Sequence, residues 1–314
     1  MDPRKQKKSD YIRMLMGKSP LSRNQVATVS GLSNPYIREL EKGNIANVGR
    51  EKLIRFAVAL NLSLPEVDQM LTVFDRAALS GDDVPLFIEA SKRSRISAAL
   101  HPVHDSFTFD LAVLSAERIP GEHVIVSPRP ASCLRETGHR TYAEKSLVEA
   151  HPLYADLVAA IIQERRRLLI ENLSDYPFRQ YVCIQCLKDY IRRCGEPVEK
   201  QWRIRHLRNT IQMISEHDNF HFFLTRECPS FIFVLRTPPA NVKETEKLII
   251  TVLPPHRFQI RTSGLLAGFA TDSQAVILNF KEELSFLEET VMHEYRDREV
   301  LIGFLGKLGN PTSG

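Results

Sequence analysis

Apolar residues recur at helical spacing through the first quarter of the chain, in short segments separated by turn-forming residues. Over residues 10–74 the apolar positions lie three and four apart, as in helices that bury one side. Gly, Pro, Ser and Asn punctuate these segments. The pattern predicts a bundle of short helices over residues 10–76. The preceding residues 1–9 are polar and basic, and we expect a disordered arm there.

The hydrophobic pattern changes after a stretch of small, acidic, Gly and Pro residues at 77–85. We expect a linker over 77–100 and a second domain over 101–314. Short runs rich in Val, Ile and Phe predict strands there, and longer amphipathic runs predict helices. The predicted strands are 106–116, 122–128, 221–225, 230–236, 247–254, 256–260 and 274–280, and the predicted helices are 152–172, 198–216 and 281–295. This interleaving is typical of a mixed α/β (α+β) domain.

Residues 21–43 carry the most informative local pattern, which predicts two helices joined by a tight turn. Ser22 is suited to cap a helix that runs to about Val29, because its hydroxyl accepts an unpaired backbone N–H. Ala27 lies in the middle of that helix, where a small side chain lets a second helix cross closely. Gly31 follows four residues later and tolerates the positive φ that the turn requires.

The second helix of the pair has its own start and stop signals. Ser33 is a predicted N-cap, and Pro35 lies in the first turn, where a missing N–H costs nothing. Gly43 stands where a helix ends with a left-handed residue. The apolar positions of the pair (Val26, Leu32, Ile37 and Leu40) and those that follow (Leu53, Phe56, Ala57, Leu60, Leu62, Val67 and Leu71) predict one shared core.

On these residues the N-terminal region resembles the Cro/lambda-repressor-like (XRE) helix-turn-helix family. The segment 51–71 also resembles that family's fourth helix, a short turn and a fifth helix. The resemblance covers about 65 residues. It implies an all-α lambda-repressor-like domain in the N-terminal region and a partner that is double-stranded DNA. Together with the mixed α/β (α+β) domain predicted from the strand and helix pattern, this gives an expected multidomain fold.

The resemblance also implies which side chains would meet DNA. In this family the second helix of the motif enters the major groove, and the helix before it lies across the backbone. The candidates for base edges are Ser33, Asn34, Tyr36, Arg38 and Glu39, with Asn34 suited to adenine and Arg38 to guanine or a phosphate. The candidates for phosphate are Arg23, Lys42 and Asn44.

Charge supports this assignment through its distribution. Residues 1–80 hold 13 Lys and Arg against 8 Asp and Glu, whereas the remaining residues carry a net charge of about −1. No apolar run is long enough to span a membrane, and no apolar segment follows the basic N-terminus as in a signal peptide. We therefore expect a cytoplasmic protein with no membrane partner, whose five cysteines are reduced.

Other clusters have both a functional and a structural interpretation. Cys183, Cys186 and Cys194 would share a helix face, which suits a redox or metal site, but burial in the core is the favoured interpretation. His217 and His221 have metal-ligand spacing only if a helix continues through Asp218. Two further candidates are the basic run at 164–169, for which a solvated face is favoured, and the HPVH segment at 101–104, where Pro102 predicts a loop.

The leading hypothesis is a homodimeric transcriptional regulator whose C-terminal domain supplies dimerisation, small-molecule effector sensing or both. The chain has no nucleophile-elbow, phosphate-loop or dinucleotide-binding motif, so we expect neither an enzyme nor a cofactor. Two alternatives stay open. One is an enzyme or toxin–antitoxin component with a DNA-binding head, and the other is an adaptor whose helical head binds a protein.

Overall fold

Helices occupy the N-terminal region, and a mixed sheet with helices follows. The structure is a computed structural model that describes residues 3–19, 21–45, 47–93, 100–139, 145–193, 196–229, 231–251 and 265–309. The N-terminal helices are α1 (Pro3–Lys18), α2 (Arg23–Ser30), α3 (Asn34–Glu41), α4 (Arg50–Ala59) and α5 (Leu64–Val73). Their apolar faces meet in one core, in which Val26, Ile37, Leu53 and Phe56 are fully buried.

The first helix begins earlier than the sequence predicted. Residues 3–9 belong to α1, whereas a disordered arm was expected. The helix extends because two of its polar side chains have partners elsewhere in the bundle. The Ser9 hydroxyl donates to the Glu41 carbonyl oxygen at 2.6 Å, and the Lys8 ammonium lies 2.7 Å from the Asp75 carboxylate.

Residues 77–93 are packed between the two regions, where a linker was expected. A short 3-10 turn (Gly81–Asp83) leads into α6 (Val84–Arg93). The Arg50 guanidinium fixes the approach, because it donates to the Asp83 carboxylate at 2.5 Å and to the Ala77 carbonyl oxygen at 2.7 Å. Phe87 and Ala90 of α6 are buried in the apolar cluster that also holds the core of the first five helices. The remainder of the expected linker, 94–99, lies outside the described residues.

The C-terminal region is built on a seven-stranded sheet. Its strands are β1 (His101–Asp105), β2 (Glu122–Val126), β3 (Phe178–Cys183), β4 (Phe220–Thr225), β5 (Ile232–Thr237), β6 (Lys247–Thr251) and β7 (Leu265–Thr271). The strand order is β1-β7-β6-β5-β2-β3-β4. Strands β2, β3 and β4 are parallel, and the other pairs are antiparallel. With the helices described below, this sheet confirms the predicted multidomain fold with a mixed C-terminal domain.

Helices cover both faces of the sheet. They are α7 (Ser106–Glu117), α8 (Lys145–Ala150), α9 (Tyr154–Leu173), α10 (Ile184–Arg192), α11 (Pro197–Glu216), α12 (Gln274–Glu289) and α13 (Arg298–Gly309). Val124 and Val126 pack on the side of α12, and Ile125 packs on the side of α9, α10, α11 and α13. This alternation is the two-residue period of a strand, here with both sides buried.

Two predicted strands are wrong, because both are helices. The segment 106–116 forms α7, and 274–280 begins α12. Helix α7 is buried on most of its surface, so its sequence lacks the polar side that makes a helix recognisable. Its start is marked by Asp105, whose carboxylate accepts the Thr108 N–H at 2.7 Å. The start of α12 is a short apolar run, in which strand and helix cannot be separated by periodicity.

One predicted loop is wrong as well, because residues 101–104 belong to β1. Pro102 is compatible with this strand, since β1 lies at the edge of the sheet and Pro lacks only a donor that a central strand would need. Strands β3 and β7 were missed by the sequence analysis, and the predicted strand at 256–260 lies outside the described residues.

Candidate nucleic-acid interface

The two helices of the predicted motif begin and end at the residues that the sequence indicated. Ser22 and Gln25 form a reciprocal capping box at the start of α2, and Gly31 follows the helix with φ of +63°. The Ser33 hydroxyl accepts the Tyr36 N–H at the start of α3. These caps fix the direction of α3 relative to α2 over a turn of three residues.

A side chain from α4 stabilises that turn, and the sequence analysis missed it. The Arg55 guanidinium donates to the carbonyl oxygen of Ser30 at 2.9 Å and to that of Gly31 at 2.6 Å. These carbonyls belong to the end of α2, where backbone acceptors lack helical partners. No signal in one sequence pairs an arginine with carbonyls 24 residues earlier, so only the folded bundle reveals this contact.

The end of α3 is held by the first helix. Gly43 has φ of +68°, and a Cβ atom there would lie far inside van der Waals contact with the Lys5 carbonyl oxygen. The Ser9 hydroxyl also reaches the carbonyl oxygen of Glu41. Residues 3–9 therefore help to position α3.

One face of α3 is open to solvent and forms a groove with the start of α2. Ile37 and Leu40 point into the core, whereas Asn34, Pro35 and Arg38 are exposed. We call the open face the α3 groove; it is lined by Arg23, Asn34, Pro35, Arg38, Glu39 and Lys42. Three cationic side chains and one carboxylate line it, so its charge favours an anionic partner.

Two of the groove residues bind each other's helices. The Arg23 guanidinium lies 2.6 Å from the Glu41 carboxylate, although almost half of the arginine side chain stays exposed. The Asn34 amide donates to the Asn24 side-chain oxygen. Both side chains are thereby held at the mouth of the groove; the partner of Asn34 is exposed, whereas the Glu41 side chain is only 14% exposed.

Glu39, Lys42 and Asn44 form a small polar cluster at the other end of α3. The Glu39 carboxylate accepts from the Lys42 ammonium and from the Asn44 amide, each at 2.8 Å. These hydrogen bonds lower the pKa of the exposed Glu39 carboxyl. The predicted base contact of Glu39 and the predicted phosphate contacts of Lys42 and Asn44 thus belong to one group of interacting side chains.

Tyr36 and Arg38 occupy contrasting positions. Tyr36 is half-buried, the Lys52 ammonium lies 4.4 Å from the centre of its ring, and burial raises the pKa of its phenol. Arg38 is exposed, and within the described residues its guanidinium makes no hydrogen bond. Arg38 is therefore the α3 cation most readily available to a ligand in the groove.

The basic run at 164–169 does not form an open cationic surface. Arg165 is buried and donates to the carboxylates of Glu117 and Asp110, at 2.8 Å and 3.0 Å. Arg167 is exposed and pairs with Glu164 and Glu171 on its own helix. Two of the three arginines of the run are thus matched by nearby carboxylates, and Arg166 donates to the Cys133 carbonyl oxygen at 3.3 Å.

The fold places the histidine and cysteine candidates on different elements from those that the sequence predicted. Helix α11 ends at Glu216, so His217 and His221 do not share a helix, and His221 lies in β4. Cys183 ends β3 and Cys186 lies in the first turn of α10, while Cys194 is outside the described residues. Cys228, which the sequence analysis did not connect with them, lies 3.3 Å from Cys186 between sulfur atoms.

A small cavity of about 10 Å³ in the described part of the C-terminal region has room for no more than one water molecule. Glu117, His123 and Arg236 are among its lining residues. Burial lowers the pKa of His123 well below its ordinary value, so this histidine is neutral at physiological pH. The cavity is too small for a substrate.

Comparison with known families identifies the N-terminal region. Residues 12–67 match the family model described as Helix-turn-helix, of the XRE, lambda-repressor-like kind. The chain therefore carries a helix-turn-helix DNA-binding domain, and the matched residues include all of α2, α3 and α4. The corresponding comparisons with curated proteins and with solved structures gave no match. No helix among the described residues is both long and apolar enough to cross a membrane.

Proposed function

We propose that this protein is a sequence-specific transcriptional regulator that inserts α3 into the major groove of double-stranded DNA. The observation that carries the proposal is the α3 groove, an exposed cationic face on the second helix of a helix-turn-helix domain. In this role Asn34 and Arg38 reach base edges, and Ser33 caps the helix that presents them. Arg23 and Lys42 exchange their carboxylate partners for phosphates, which anchor the helix across the groove.

The remaining candidate residues act through their neighbours. Glu39 holds Lys42 and Asn44 in place, and Tyr36 packs beneath Lys52, so both shape the groove even where they do not touch a base. Arg55 helps to position α3 by binding the turn before it, and Gly43 does so by allowing α1 to pack against its end. These assignments predict different consequences for sequence preference and for overall affinity.

A test begins with DNA fragments that the full-length protein selects from a random double-stranded pool. On the selected site, Arg38→Ala should weaken binding by about 1–3 kcal/mol and relax the sequence preference, because a base contact is lost. Lys42→Ala should weaken binding to all sequences alike and reduce the salt slope by about one. Arg208→Ala removes an exposed arginine from α11 and serves as the matched control, with unchanged affinity expected.

The groove assignment fails if Arg38→Ala and Asn34→Ala both leave sequence-specific affinity intact. The DNA-binding role fails if no fragment becomes more frequent after selection than it was in the unselected random pool. An adaptor that binds protein through this helix would produce that second outcome.

The homodimer is part of the proposal. A single recognition helix reads about half a site, and two-fold partners gain affinity by binding half-sites one helical turn, about 34–36 Å, apart. The mass of the protein on selected DNA, measured by light scattering, should correspond to two chains. Selected sites should show inverted repeats at that spacing.

The C-terminal domain then supplies dimerisation, effector sensing or both, in a protein that works in the cytoplasm, where its DNA is found. The packed joint at 77–93 supports this division, since Phe87 and Ala90 of α6 lie in the same apolar cluster as residues of α4 and α7. We assign the protein no catalytic activity. The alternative of an enzyme with a DNA-binding head predicts turnover of a substrate by the C-terminal domain.

A further inference from the structure

Two cysteines that are close in sequence and a third that is distant meet at one edge of the sheet. Cys183 is the last residue of β3, and Cys186 lies in the first turn of α10. Cys228 follows β4, the strand that pairs in parallel with β3 and places Thr225 opposite Cys183. The carboxyl ends of parallel strands lie at the same edge, so the topology brings the third thiol to the first two.

The sulfur atoms have the spacing of metal ligands. All three lie within 4.8 Å of one another, and the sulfur atoms of Cys186 and Cys228 are 3.3 Å apart. Thiolates bound to Zn²⁺ at about 2.3 Å are about 3.8–4.0 Å apart in tetrahedral or trigonal geometry. A small adjustment of the side chains therefore places three sulfurs around one ion.

The backbone around Cys183 is arranged to receive a thiolate. Cys183 is the N-cap residue of α10, so the first N–H groups of that helix, including those of Gln185 and Cys186, lie beside it. These N–H groups have no partner within the helix, and the positive end of its dipole lies at the same place. Cys183 and Cys186 are buried, whereas Cys228 is half-exposed, which leaves one side of the cluster accessible.

The number of thiols distinguishes a metal site from a simple redox pair. A disulfide joins two sulfurs at about 2.05 Å and leaves a third without a role. Three sulfurs converging from a strand end, a helix start and a loop match the donor set that soft cations prefer.

We propose that Cys183, Cys186 and Cys228 bind one thiophilic metal ion of the Zn²⁺ class as three thiolates, with a fourth coordination position open on the side of Cys228. Binding forms three metal–sulfur bonds and releases to water the protons that the thiols held. Structural zinc sites usually have four protein ligands, whereas three leave a position for water or another ligand. This proposal does not depend on the DNA-binding role of α3.

The test uses the reduced, metal-free full-length protein. It is titrated with Zn²⁺ against a chromophoric chelator, and separately with Co²⁺, whose near-ultraviolet charge-transfer bands report thiolate ligation. We expect one equivalent per chain. Cys228→Ser should weaken Zn²⁺ binding at least about 100-fold, since losing a group that only orients a ligand already costs about 10–100-fold. Cys133→Ser is the control, because Cys133 is a buried thiol outside the cluster, and its affinity should equal that of the wild type.

The stability of the metal-free Cys228→Ser variant is a necessary control. Cys228 lies in a half-exposed loop position, and thermal unfolding of metal-free Cys228→Ser should match that of the metal-free wild type, which separates ligand loss from misfolding. The proposal is overturned if the reduced wild-type protein binds Zn²⁺ no more tightly than Cys228→Ser. It is also overturned if the reduced protein takes up no metal while mild oxidation gives a Cys186–Cys228 disulfide by mass spectrometry.

Discussion

The helix-turn-helix region and the sheet region assemble their candidate sites in different ways. The α3 groove draws its lining from a stretch of about 20 consecutive residues, whose helix ends are marked by local caps and a glycine. The three-cysteine cluster draws its sulfurs from a strand end, a helix start and a loop, and Cys186 and Cys228 are 42 positions apart in the sequence. A site built from neighbours in sequence is readable from a pattern, whereas a site built by topology emerges only with the sheet.

The two regions are nevertheless joined by a shared core. Phe87 of α6 packs with Phe107 of α7 at 5.8 Å between ring centres, in the same apolar cluster as the N-terminal helices. At the surface of the joint, the His151 ring lies 2.7 Å from the Asp68 carboxylate, and the Asn61 amide donates to the Pro102 carbonyl oxygen at 2.6 Å. The stabilities of the helix-turn-helix region and the sheet region should therefore be coupled, and single substitutions in each region should show how much each contributes.

The largest effect is expected in the sheet region, from Arg165→Ala. Arg165 is buried with two hydrogen bonds to Glu117 and one to Asp110, so its removal leaves two buried carboxylates without their cation. Breaking a buried pair in this way costs about 3–5 kcal/mol, and we expect the upper end in urea unfolding. Arg167→Ala removes an exposed arginine two residues further and should cost less than about 1 kcal/mol. Equal losses for the two variants would contradict the buried network.

The joint is tested by Phe87→Ala. Truncating this buried ring should cost about 3 kcal/mol and separate the unfolding of the two regions into two transitions. Calorimetry of the full chain measures both effects. Ile170→Ala, at an exposed position of α9, should stay within about 0.5 kcal/mol and keep a single transition. If Phe87→Ala unfolds in one transition at the wild-type temperature, the regions are not coupled through α6.

Acid should weaken the sheet region through His101. Burial lowers the pKa of His101 to about 4, with Lys247 adding to the effect and Asp272 opposing it. The unfolded chain therefore binds a proton at higher pH than the native protein does, so stability falls as pH decreases from about 6.5 to about 4. This residue should contribute a loss of about 2 kcal/mol by pH 4.5. The free energy of unfolding in urea should fall less between pH 6.5 and pH 4.5 for His101→Asn than for the wild type. An equal fall in the two proteins would show that His101 does not cause the acid sensitivity.

The smallest effect concerns the backbone of the helical region. Gly43→Ala forces an L-residue into the left-handed region and places its Cβ against the Lys5 carbonyl, which should cost at least about 1–2 kcal/mol. Gly17→Ala lies in α1 with open space around it and should instead gain about 0.5–1 kcal/mol. Chemical denaturation measures both, and a stabilising Gly43→Ala would contradict the packing of α1 against the end of α3.

The ends of α2 and α3 were predicted from the sequence, because each signal acts over a few residues. Ser22, Gly31 and Ser33 mark helix ends by local hydrogen bonding and local φ, and the apolar positions between them fix which side is buried. Helix α7 was wrongly predicted as a strand, because its burial on most sides removes the polar stripe of a helix. Strand β1 was wrongly predicted as a loop, because a strand at the edge of a sheet tolerates a proline. The sequence analysis also failed on residues 3–9, where the helix depends on partners at Glu41 and Asp75.

The amino-acid sequence by itself determined where α2 and α3 begin and end and which charged residues lie on the exposed side of α3, because these follow from interactions and spacing between near neighbours. Only the tertiary structure decided that residues 77–93 form a packed joint, that Arg55 holds the turn, and that Cys228 completes a cluster with Cys183 and Cys186. Those contacts depend on which distant elements become adjacent, and strand order and burial set that adjacency.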